Sequence, residues 1–233
     1  MRRISWGLLA VAALTAWLLA AGCGKKVART ADPPAADGGV VEGAAPAAES
    51  AAQGVAALTD GRDGQTYRTV RIGNQTWMAE NLNYKTEKRS CCYGNSLVNC
   101  SKYGRLYDWN TASTVCPAGW KLPDTADWRA LMAFVGGQKA AGQKLKSRSG
   151  WNVNDDGNVS GNGTDDYGFS ALPGGTRGLD GSFAHAGYYG FWWASTKSAE
   201  GYAYYRGMRY NDEYVNEDDY DANYGRSVRC IQE

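Results

Sequence analysis

The chain contains 233 residues, with 25 basic and 24 acidic side chains, one histidine and six cysteines. A charge this close to neutral excludes the strongly basic surface that a nucleic-acid partner requires, so we expect no such partner. The sequence also lacks a glycine-rich phosphate loop, a helical HExxH motif and a CxxC pair, which excludes the usual signatures of nucleotide-binding and zinc-protease sites. About 175 residues carry nearly all the aromatic side chains, enough for one substantial core, which favours a single folded domain.

The N-terminal segment has the pattern of a secretory signal. Two arginines precede an apolar run at residues 4–21, an order that is typical of a signal peptide. Residues 19–23, Leu-Ala-Ala-Gly-Cys, resemble a bacterial lipobox, although Ala20 stands where that pattern usually has leucine. We therefore predict a signal peptide over residues 1–22 and acylation of Cys23. The alternative is an ordinary signal peptide or a retained anchor helix with an incidental cysteine, because about 18 apolar residues could just span a bilayer.

The predicted anchor and the residues that follow it set the expected location. Several acyl chains on Cys23 would hold the protein at a membrane, at about 0.8 kcal/mol per buried methylene. In lipoproteins of this type a residue other than Asp after the cysteine, here Gly24, implies the outer membrane of the cell envelope. Residues 23–58 are rich in Ala, Gly and Pro and contain no aromatic side chain, so they bury too little apolar surface to fold. We predict a flexible tether with a reach of roughly 30 to 35 Å, followed by one domain over residues 59–233.

Five further cysteines lie in the predicted domain, and export permits disulfides. Spacing favours Cys92 with Cys100, which closes a small polar loop, and Cys116 with Cys230, which connects an early element to the last strand. On the chain-entropy model the long closure contributes roughly 4 to 5 kcal/mol and the short one about 2.5 kcal/mol. Cys91 is then left over. It could instead pair with Cys100, because adjacent cysteines are nearly interchangeable by spacing.

Local patterns predict short strands and two helices. Residues 66–72 alternate between outward and inward side chains, and a Gly-Asn turn leads to a second strand over residues 75–78, which together make a hairpin. Pro123-Asp124-Thr125 predicts the start of a helix that ends at the glycine pair after Val135, and a shorter helix covers residues 139–147. Further strands are predicted at residues 168–172, 191–196, 202–210 and 226–231, with a polar, glycine-rich loop at 152–166.

Seven ordered segments carry a family resemblance. They are Thr-Asp-Gly-Arg-Asp-Gly-Gln-Thr-Tyr at 59–67, Ile-Gly-Asn-Gln-Thr-Trp-Met-Ala-Glu-Asn-Leu at 72–82, Asn-Cys-Ser-Lys-Tyr-Gly-Arg-Leu-Tyr at 99–107, Cys-Pro-Ala-Gly-Trp-Lys-Leu-Pro at 116–123, Gly-Phe-Ser-Ala-Leu-Pro-Gly-Gly at 168–175, Trp-Trp-Ala-Ser-Thr at 192–196 and Ser-Val-Arg-Cys at 227–230. Together they resemble the Fibrobacter succinogenes major paralogous domain, over essentially residues 59–233. Many ordered motifs make the resemblance specific, where any single one would be weak.

The resemblance implies a fold more strongly than an activity. That family is usually found in secreted or lipid-anchored bacterial proteins and is related to the C-type lectin-like fold, as are the formylglycine-generating enzymes. It implies an α+β domain of short, mostly antiparallel strands with two helices, long loops and stapling disulfides. In C-type lectin-like domains a disulfide joins the start of the first helix to the last strand, which fits Cys116 and Cys230. The calcium-dependent sugar motifs of the lectins are absent, so a sugar site would have to lie elsewhere.

One polar segment imitates half of a calcium loop. Residues 152–158 place oxygen-bearing side chains at alternate positions with a glycine for the turn, as an EF-hand does, but Gly163 stands where the bidentate Glu should be. The simpler interpretation is a solvated turn and no cofactor. The alternative is a calcium site built from Asp155, Asp156, Asp165 or Asp166. The acidic run at residues 213–221 is likewise most simply a soluble loop.

A tyrosine-rich segment is the candidate recognition surface. Strand alternation places Tyr205 and Arg209 on one face and Met208 and Tyr210 on the other. Exposed tyrosines beside arginines combine flat apolar contact with hydrogen-bonding groups. We therefore predict a ligand-binding surface formed by Tyr188, Tyr189, Tyr205, Tyr210 and Arg209. The adjacent pair Trp192-Trp193 is more simply interpreted as core.

Three functions are compatible with these features. The tether, the aromatic residues and the lectin-like resemblance favour a lipid-anchored adhesin or carbohydrate-binding module, whose partners are the membrane and a polysaccharide or envelope protein. The alternative is a structural or protein-interaction lipoprotein of the envelope without sugar binding. An enzyme related to the formylglycine-generating enzymes is disfavoured, because that chemistry needs dedicated cysteines near the C-terminal end and Cys230 is assigned to a disulfide. No spacing singles out a carboxylate pair for glycoside hydrolysis, so we assign no catalytic residue.

Overall fold

The computed structural model describes residues 56–153 and 157–233. The predicted signal peptide, Cys23 and the tether up to residue 55 lie outside the described residues. Residues 56–58, predicted to end the tether, belong instead to the first strand, Ala56–Thr59 (β1). Within the described residues, no helix combines the length and the apolar character needed to cross a membrane.

Four α-helices and one 3-10 helix form in the described part of the chain. Their bounds are Tyr93–Asn95 (the 3-10 helix), Leu97–Tyr103 (α1), Trp109–Ala112 (α2), Thr125–Phe134 (α3) and Gln138–Leu145 (α4). The two helices that the sequence predicts are α3 and α4. The sequence pattern does not predict α1 and α2, because seven and four residues are too few to establish an apolar period.

The strands of the described residues form three sheets. In chain order after β1 they are Thr66–Ile72 (β2), Gln75–Met78 (β3), Ser90–Cys91 (β4), Leu106–Tyr107 (β5), Trp120–Lys121 (β6), Thr176–Arg177 (β7), Phe183–Ala184 (β8), Tyr189–Ala199 (β9), Tyr202–Arg209 (β10), Val215–Asp221 (β11), Arg226–Ser227 (β12) and Ile231–Gln232 (β13). The first sheet has the order β1-β2-β3-β13-β6, the second β11-β10-β9-β12-β5-β4, and the third pairs β7 with β8. Only β12 and β9 pair in parallel among these strands. The class is therefore α+β with short, mostly antiparallel strands, and β2 and β3 form the predicted hairpin.

Helix α3 begins where its local signals predict. The Asp124 carboxylate accepts a hydrogen bond from the backbone N–H of Asp127 at 2.8 Å, and the Asp127 carboxylate accepts one from the backbone N–H of Asp124 at 3.0 Å. This reciprocal cap satisfies two backbone donors that the first turn would leave unpaired. Trp128 and Leu131 are fully buried, so the helix faces the core as predicted.

Strand β9 is buried on both faces by two hydrophobic cores. Trp192 belongs to a first core that includes Trp128 of α3 and Leu145 of α4. Trp193 belongs to a second core with Tyr107 and Trp109, and its indole N–H donates to the carbonyl of Tyr107 at 2.9 Å. Adjacent strand residues point to opposite faces, so the two tryptophans fill different cores. Both are inaccessible to solvent.

Residues 168–172 do not form the predicted strand. Ser170 has a φ of 52°, which a strand does not tolerate, and Ala171 makes only an isolated bridge. The Arg229 guanidinium donates hydrogen bonds to the carbonyls of Phe169 and Ser170. A side chain therefore takes the backbone acceptors that a neighbouring strand would otherwise use.

The acidic run at residues 213–221 contains a strand and is not the predicted loop. Strand β11 pairs along its whole length with β10 and forms the edge of the second sheet. Charged side chains are suited to an edge strand, because they remain hydrated there and discourage pairing with another chain. The strand predicted at residues 226–231 is divided into β12 and β13, which join different sheets.

Two disulfides connect the pairs that spacing favours, Cys92 with Cys100 and Cys116 with Cys230. The second bridge spans 114 residues and joins the segment before β6 to the residue before β13. Cys91 is the free thiol among the described cysteines and is half-buried.

Candidate functional site

A buried polar network joins residues from five of the motif segments. The side-chain carbonyl of Asn81 accepts hydrogen bonds from the Trp192 indole at 2.8 Å and from Nη2 and Nε of Arg229 at 2.7 and 3.2 Å. The Asn81 amide donates to the carbonyl of Tyr103 at 2.8 Å, and Arg229 also donates to the carbonyl of Phe169. Burial lowers the pKa of Arg229 to about 9, so it stays charged at neutral pH. These motif residues have a structural role in the described fold, since they hold its segments together.

One side of the second sheet carries an array of aromatic rings. We call the aromatic face the surface formed by Tyr189 and Phe191 of β9, Tyr205 and Arg209 of β10, and Tyr220 of β11. Arg209 lies opposite Tyr189 across the β9–β10 pair, so these alternate residues project to the same side of the sheet. The aromatic face is the outer margin of the second core, to which Tyr205 and Phe191 contribute.

Three rings of the aromatic face, those of Tyr189, Phe191 and Tyr205, contact one another in a row. Tyr189 and Phe191 stack with centroids 5.6 Å apart and planes 11° from parallel. Phe191 meets Tyr205 edge to face at 5.7 Å, and the Arg209 guanidinium lies 5.8 Å from the Tyr189 ring centroid. Tyr189 and Phe191 are half-buried, so each keeps part of its ring available to solvent. Mutual packing fixes their orientation, which lowers the entropic cost of binding against them.

Polar groups lie among these rings. Asn216 and Asp218 alternate with Tyr220 along β11 and share its side of the sheet. Tyr220 is 43% exposed and meets Tyr224 edge to face at 4.7 Å. Gly207, opposite Asn216 on β10, must lack a side chain, because a Cβ there would overlap the Asn216 amide. The aromatic face therefore combines flat rings with an amide, a carboxylate and a guanidinium.

Arg226 of β12 lies beneath the aromatic face and is 4% exposed. Its guanidinium carbon is 3.7 Å from the ring centroid of Tyr205, 4.7 Å from that of Phe191, 5.0 Å from that of Trp193 and 5.2 Å from that of Tyr220. Burial lowers the pKa of Arg226 to about 10, which leaves the side chain charged at neutral pH. Its Nε and Nη1 atoms are buried and have no hydrogen-bond partner among the described residues.

The five residues predicted to form one ligand surface are divided between two faces. Tyr189, Tyr205 and Arg209 lie on the aromatic face. Tyr188 and Tyr210 pack edge to face at 5.1 Å on the other side, where Tyr210 joins the first core. Tyr205 and Tyr210 are each only 7% exposed, because both faces of β10 are covered by core. A single surface of all five residues is therefore not formed, and Tyr188, Tyr189 and Arg209 are the members that reach solvent.

Phe191, Tyr220 and Arg226 are among the residues of this region that were not identified from the sequence. Tyr189, Phe191 and Trp193 alternate along β9, and this alternation is a signal that could have revealed Phe191. Tyr220 and Arg226 join the aromatic face through strand pairing that local patterns do not contain.

A polar cleft of about 640 Å³ lies elsewhere on the domain, between α1 and the segment after α4. Its walls include Arg68 and Glu80, which form an ion pair at 3.0 Å, together with Lys102 and Arg148. Lys102 packs over the Tyr103 ring at 4.7 Å. Hydrogen-bonding groups dominate this cleft.

Cys91 lines a smaller pocket of about 280 Å³, together with Arg177 and Leu106. Burial raises the pKa of its thiol, against a lesser opposing effect of the nearby arginines Arg177 and Arg105. Because a thiolate is the nucleophilic form, the raised pKa makes Cys91 a weak nucleophile at neutral pH.

The residues predicted as an alternative calcium site do not assemble where they can be described. Asp165 uses both carboxylate oxygens to accept hydrogen bonds from Ser170, at 2.7 Å from its backbone N–H and 2.6 Å from its hydroxyl. Asp166 is exposed. Asp155 and Asp156 lie outside the described residues. Within residues 56–153 and 157–233, no group of three or more His, Cys, Asp or Glu side chains is arranged to hold a metal ion.

Comparison with known proteins identifies one family. No similar curated protein and no similar solved structure was found. The sequence model of the Fibrobacter succinogenes major domain matches residues 70–232, most of the chain and nearly all of its described part. The match begins inside β2 and ends at the last strand, so it covers most of both cores, the buried network around Asn81 and the aromatic face. This chain belongs to the Fibrobacter succinogenes major domain family.

Proposed function

We propose that this chain is a lipid-anchored binding protein of the cell envelope, without catalytic activity, that holds a polysaccharide on its aromatic face. The observation that carries the proposal is the stacked pair Tyr189 and Phe191, flanked by the exposed side chains of Arg209 and Asp218. Sugar rings present an apolar C–H face and a rim of hydroxyl groups. Aromatic rings bind the apolar C–H face, and guanidinium, amide and carboxylate groups bind the hydroxyl groups.

The shape of the aromatic face suits a chain rather than a single sugar. The Tyr189–Phe191 stack lies on β9, and Tyr220 lies on β11 of the same sheet and pairs with Tyr224 in the turn that follows. Successive sugar units could therefore contact successive rings. Each contact would be weak. Several contacts along one polymer would give a higher overall affinity, because binding of one sugar unit raises the effective concentration of the next at its ring.

A binding assay with matched variants tests this proposal. The full chain, purified in detergent, is incubated with a panel of polysaccharides, and binding and release of soluble products are measured. Replacing Tyr189 or Tyr220 with Ala should weaken binding about tenfold, which corresponds to about 1.4 kcal/mol. Tyr188→Ala is the control, because Tyr188 is 44% exposed but lies on the opposite side of the sheet. Equal losses in all three variants, or binding to none of the polysaccharides, would rule out the aromatic face as the site.

We propose further that the domain has the C-type lectin-like fold. The bridge from Cys116, just before β6 and α3, to Cys230, just before the last strand, supports this assignment. The absence of the lectins' calcium motifs supports sugar binding without calcium, and a chelator in the assay above should leave the affinity unchanged.

The anchor and the outer-membrane location are part of the same proposal. Lipidation at Cys23 is supported by the lipobox resemblance at residues 19–23. Palmitate incorporation by the parent chain and its loss in Cys23→Ala would support the anchor. Labelling that persists in Cys23→Ala would refute it.

A second candidate function, contact with an envelope protein, is favoured by one observation. Leu97 and Val98 of α1 are 73% and 75% exposed, inside the loop closed by Cys92 and Cys100. Adjacent exposed aliphatic side chains are a feature of protein interaction sites. Replacing both with Ser should abolish in vivo cross-linking to an envelope protein and leave polysaccharide binding unchanged if this surface is used.

A further inference from the structure

Arg226 differs from the other deeply buried arginines in how its charge is balanced. Arg206 forms an ion pair with Glu217, and Arg229 donates hydrogen bonds to Asn81 and to two carbonyls. None of the ion pairs within the described residues includes Arg226. Aromatic rings surround it instead, and cation–π contacts only partly replace the hydration that burial removes.

The uncompensated charge lies directly behind the surface of the proposed binding site. The Tyr205 ring, whose centroid is 3.7 Å from the guanidinium carbon, and the rings of Phe191 and Tyr220 pack against Arg226, which is 4% exposed. A charge in a poorly polarisable surrounding acts over a longer distance than the same charge in water. The potential at the aromatic face therefore reflects Arg226 even though a ligand would not touch it.

On the aromatic face itself, cations outnumber carboxylates. Arg209 adds a second cation, exposed above the Tyr189 ring, and Asp218 contributes one carboxylate from β11. Two guanidinium groups against one carboxylate favour a ligand that brings negative charge of its own. A cation behind an aromatic ring also withdraws electron density from it, which weakens stacking of a neutral sugar and strengthens contact with an anionic one.

We propose that the aromatic face selects polysaccharides that carry anionic groups, carboxylates of uronic acids or sulfate esters, over neutral polysaccharides of the same backbone. This inference rests on the proposed function and names the chemical class of its ligand. The anionic group would lie over the row of rings between Arg209 and Arg226, where both guanidinium groups attract it electrostatically. The ratio of the affinity for the anionic polymer to that for the neutral polymer should be about ten at low ionic strength. It should fall toward one as salt screens the interaction, since the Debye length is about 10 Å at 0.1 M and 3 Å at 1 M.

The test compares polymers of the same backbone with and without anionic groups. The full chain in detergent is titrated with polygalacturonate and with its methyl-esterified form, and separately with dextran sulfate and with dextran. The first pair reports on carboxylates and the second on sulfate esters. A preference of about tenfold for the charged member of either pair, reduced in high salt, supports the inference. Equal affinity in both pairs overturns it, and the polysaccharide proposal still stands if the neutral members bind. Failure of all four to bind counts against both proposals.

Two variants show whether the preference comes from this face. Arg226→Met keeps an unbranched side chain between the aromatic rings and removes the charge, and Arg209→Gln removes the exposed charge without touching the core. Each should lower the ratio of charged to neutral affinity several-fold. Lys197→Gln is the control, because it removes a cation of β9 whose ammonium packs over Trp109 and not over a ring of the aromatic face. If Arg226→Met fails to fold, Arg209→Gln decides the matter. A ratio as high as in the parent chain would overturn the assignment to the aromatic face.

Discussion

Replacing Asn81 with Ala should destabilise the domain far more than replacing the neighbouring Asn83. The Asn81 carbonyl accepts three hydrogen bonds, two from Arg229 and one from Trp192, and all the atoms involved are buried. Leaving a buried donor without a partner costs about 1 to 3 kcal/mol, and more when the donor is charged. The expected loss is therefore about 4 to 6 kcal/mol, a large part of the 5 to 15 kcal/mol that typically stabilises a domain.

Asn83 provides a matched control because it is the same residue type two positions along the same segment. Its side-chain oxygen is buried but has no hydrogen-bond partner among the described residues, so Asn83→Ala should cost less than about 1 kcal/mol. Urea unfolding followed by tryptophan fluorescence measures both variants against the parent chain. Free energies of unfolding that agree within about 0.5 kcal/mol for the two variants would show that the Asn81 network contributes no special stability.

Two further predictions concern Lys146, which is 2% exposed, and the disulfide between Cys116 and Cys230. Burial lowers the pKa of Lys146 from its ordinary value of 10.5, so the unfolded chain binds this proton more readily and the domain should gain stability as pH rises through the interval just below 10.5. Lys146→Met should lose that gain, and unfolding free energies of parent and variant that rise equally from pH 7 to pH 10 would contradict the assignment. Removing the 114-residue closure with Cys116→Ala and Cys230→Ala should cost about 4 to 5 kcal/mol, measured as the shift in the urea midpoint. A cost below about 2 kcal/mol would show that the unfolded chain is already constrained without the bridge.

Elements with complete local signals are predictable from the sequence. Helix α3 has its cap at Asp124, its apolar side chains and its glycine stop within a few residues of one another, and the structure begins it at Thr125. The β2–β3 hairpin likewise contains its own turn. Elements that depend on distant partners are not predictable in this way. Strand β11 forms because β10 offers a complete row of backbone partners, although its own composition is that of a loop.

The candidate site follows the same division. Alternation along one strand correctly places Tyr205 and Arg209 on one face. It gives no information on burial, which depends on what covers that face, and Tyr205 is covered while Arg209 is not. Arg226 could not be placed at all from the sequence, because its position beneath the rings arises from the parallel pairing of β12 with β9.

The division of Trp192 and Trp193 between two cores has a consequence for how the domain comes apart. Strand β9 contributes one tryptophan to each core. If either core opens, the strand that also carries the tryptophan of the second core is disturbed. A one-residue shift in the register of β9 would move each tryptophan to the opposite face of the sheet, so both cores would be packed incorrectly. The two halves of the domain are thus mechanically coupled through one strand, and melting should proceed as one event, with loss of tryptophan burial and loss of sheet structure at the same temperature.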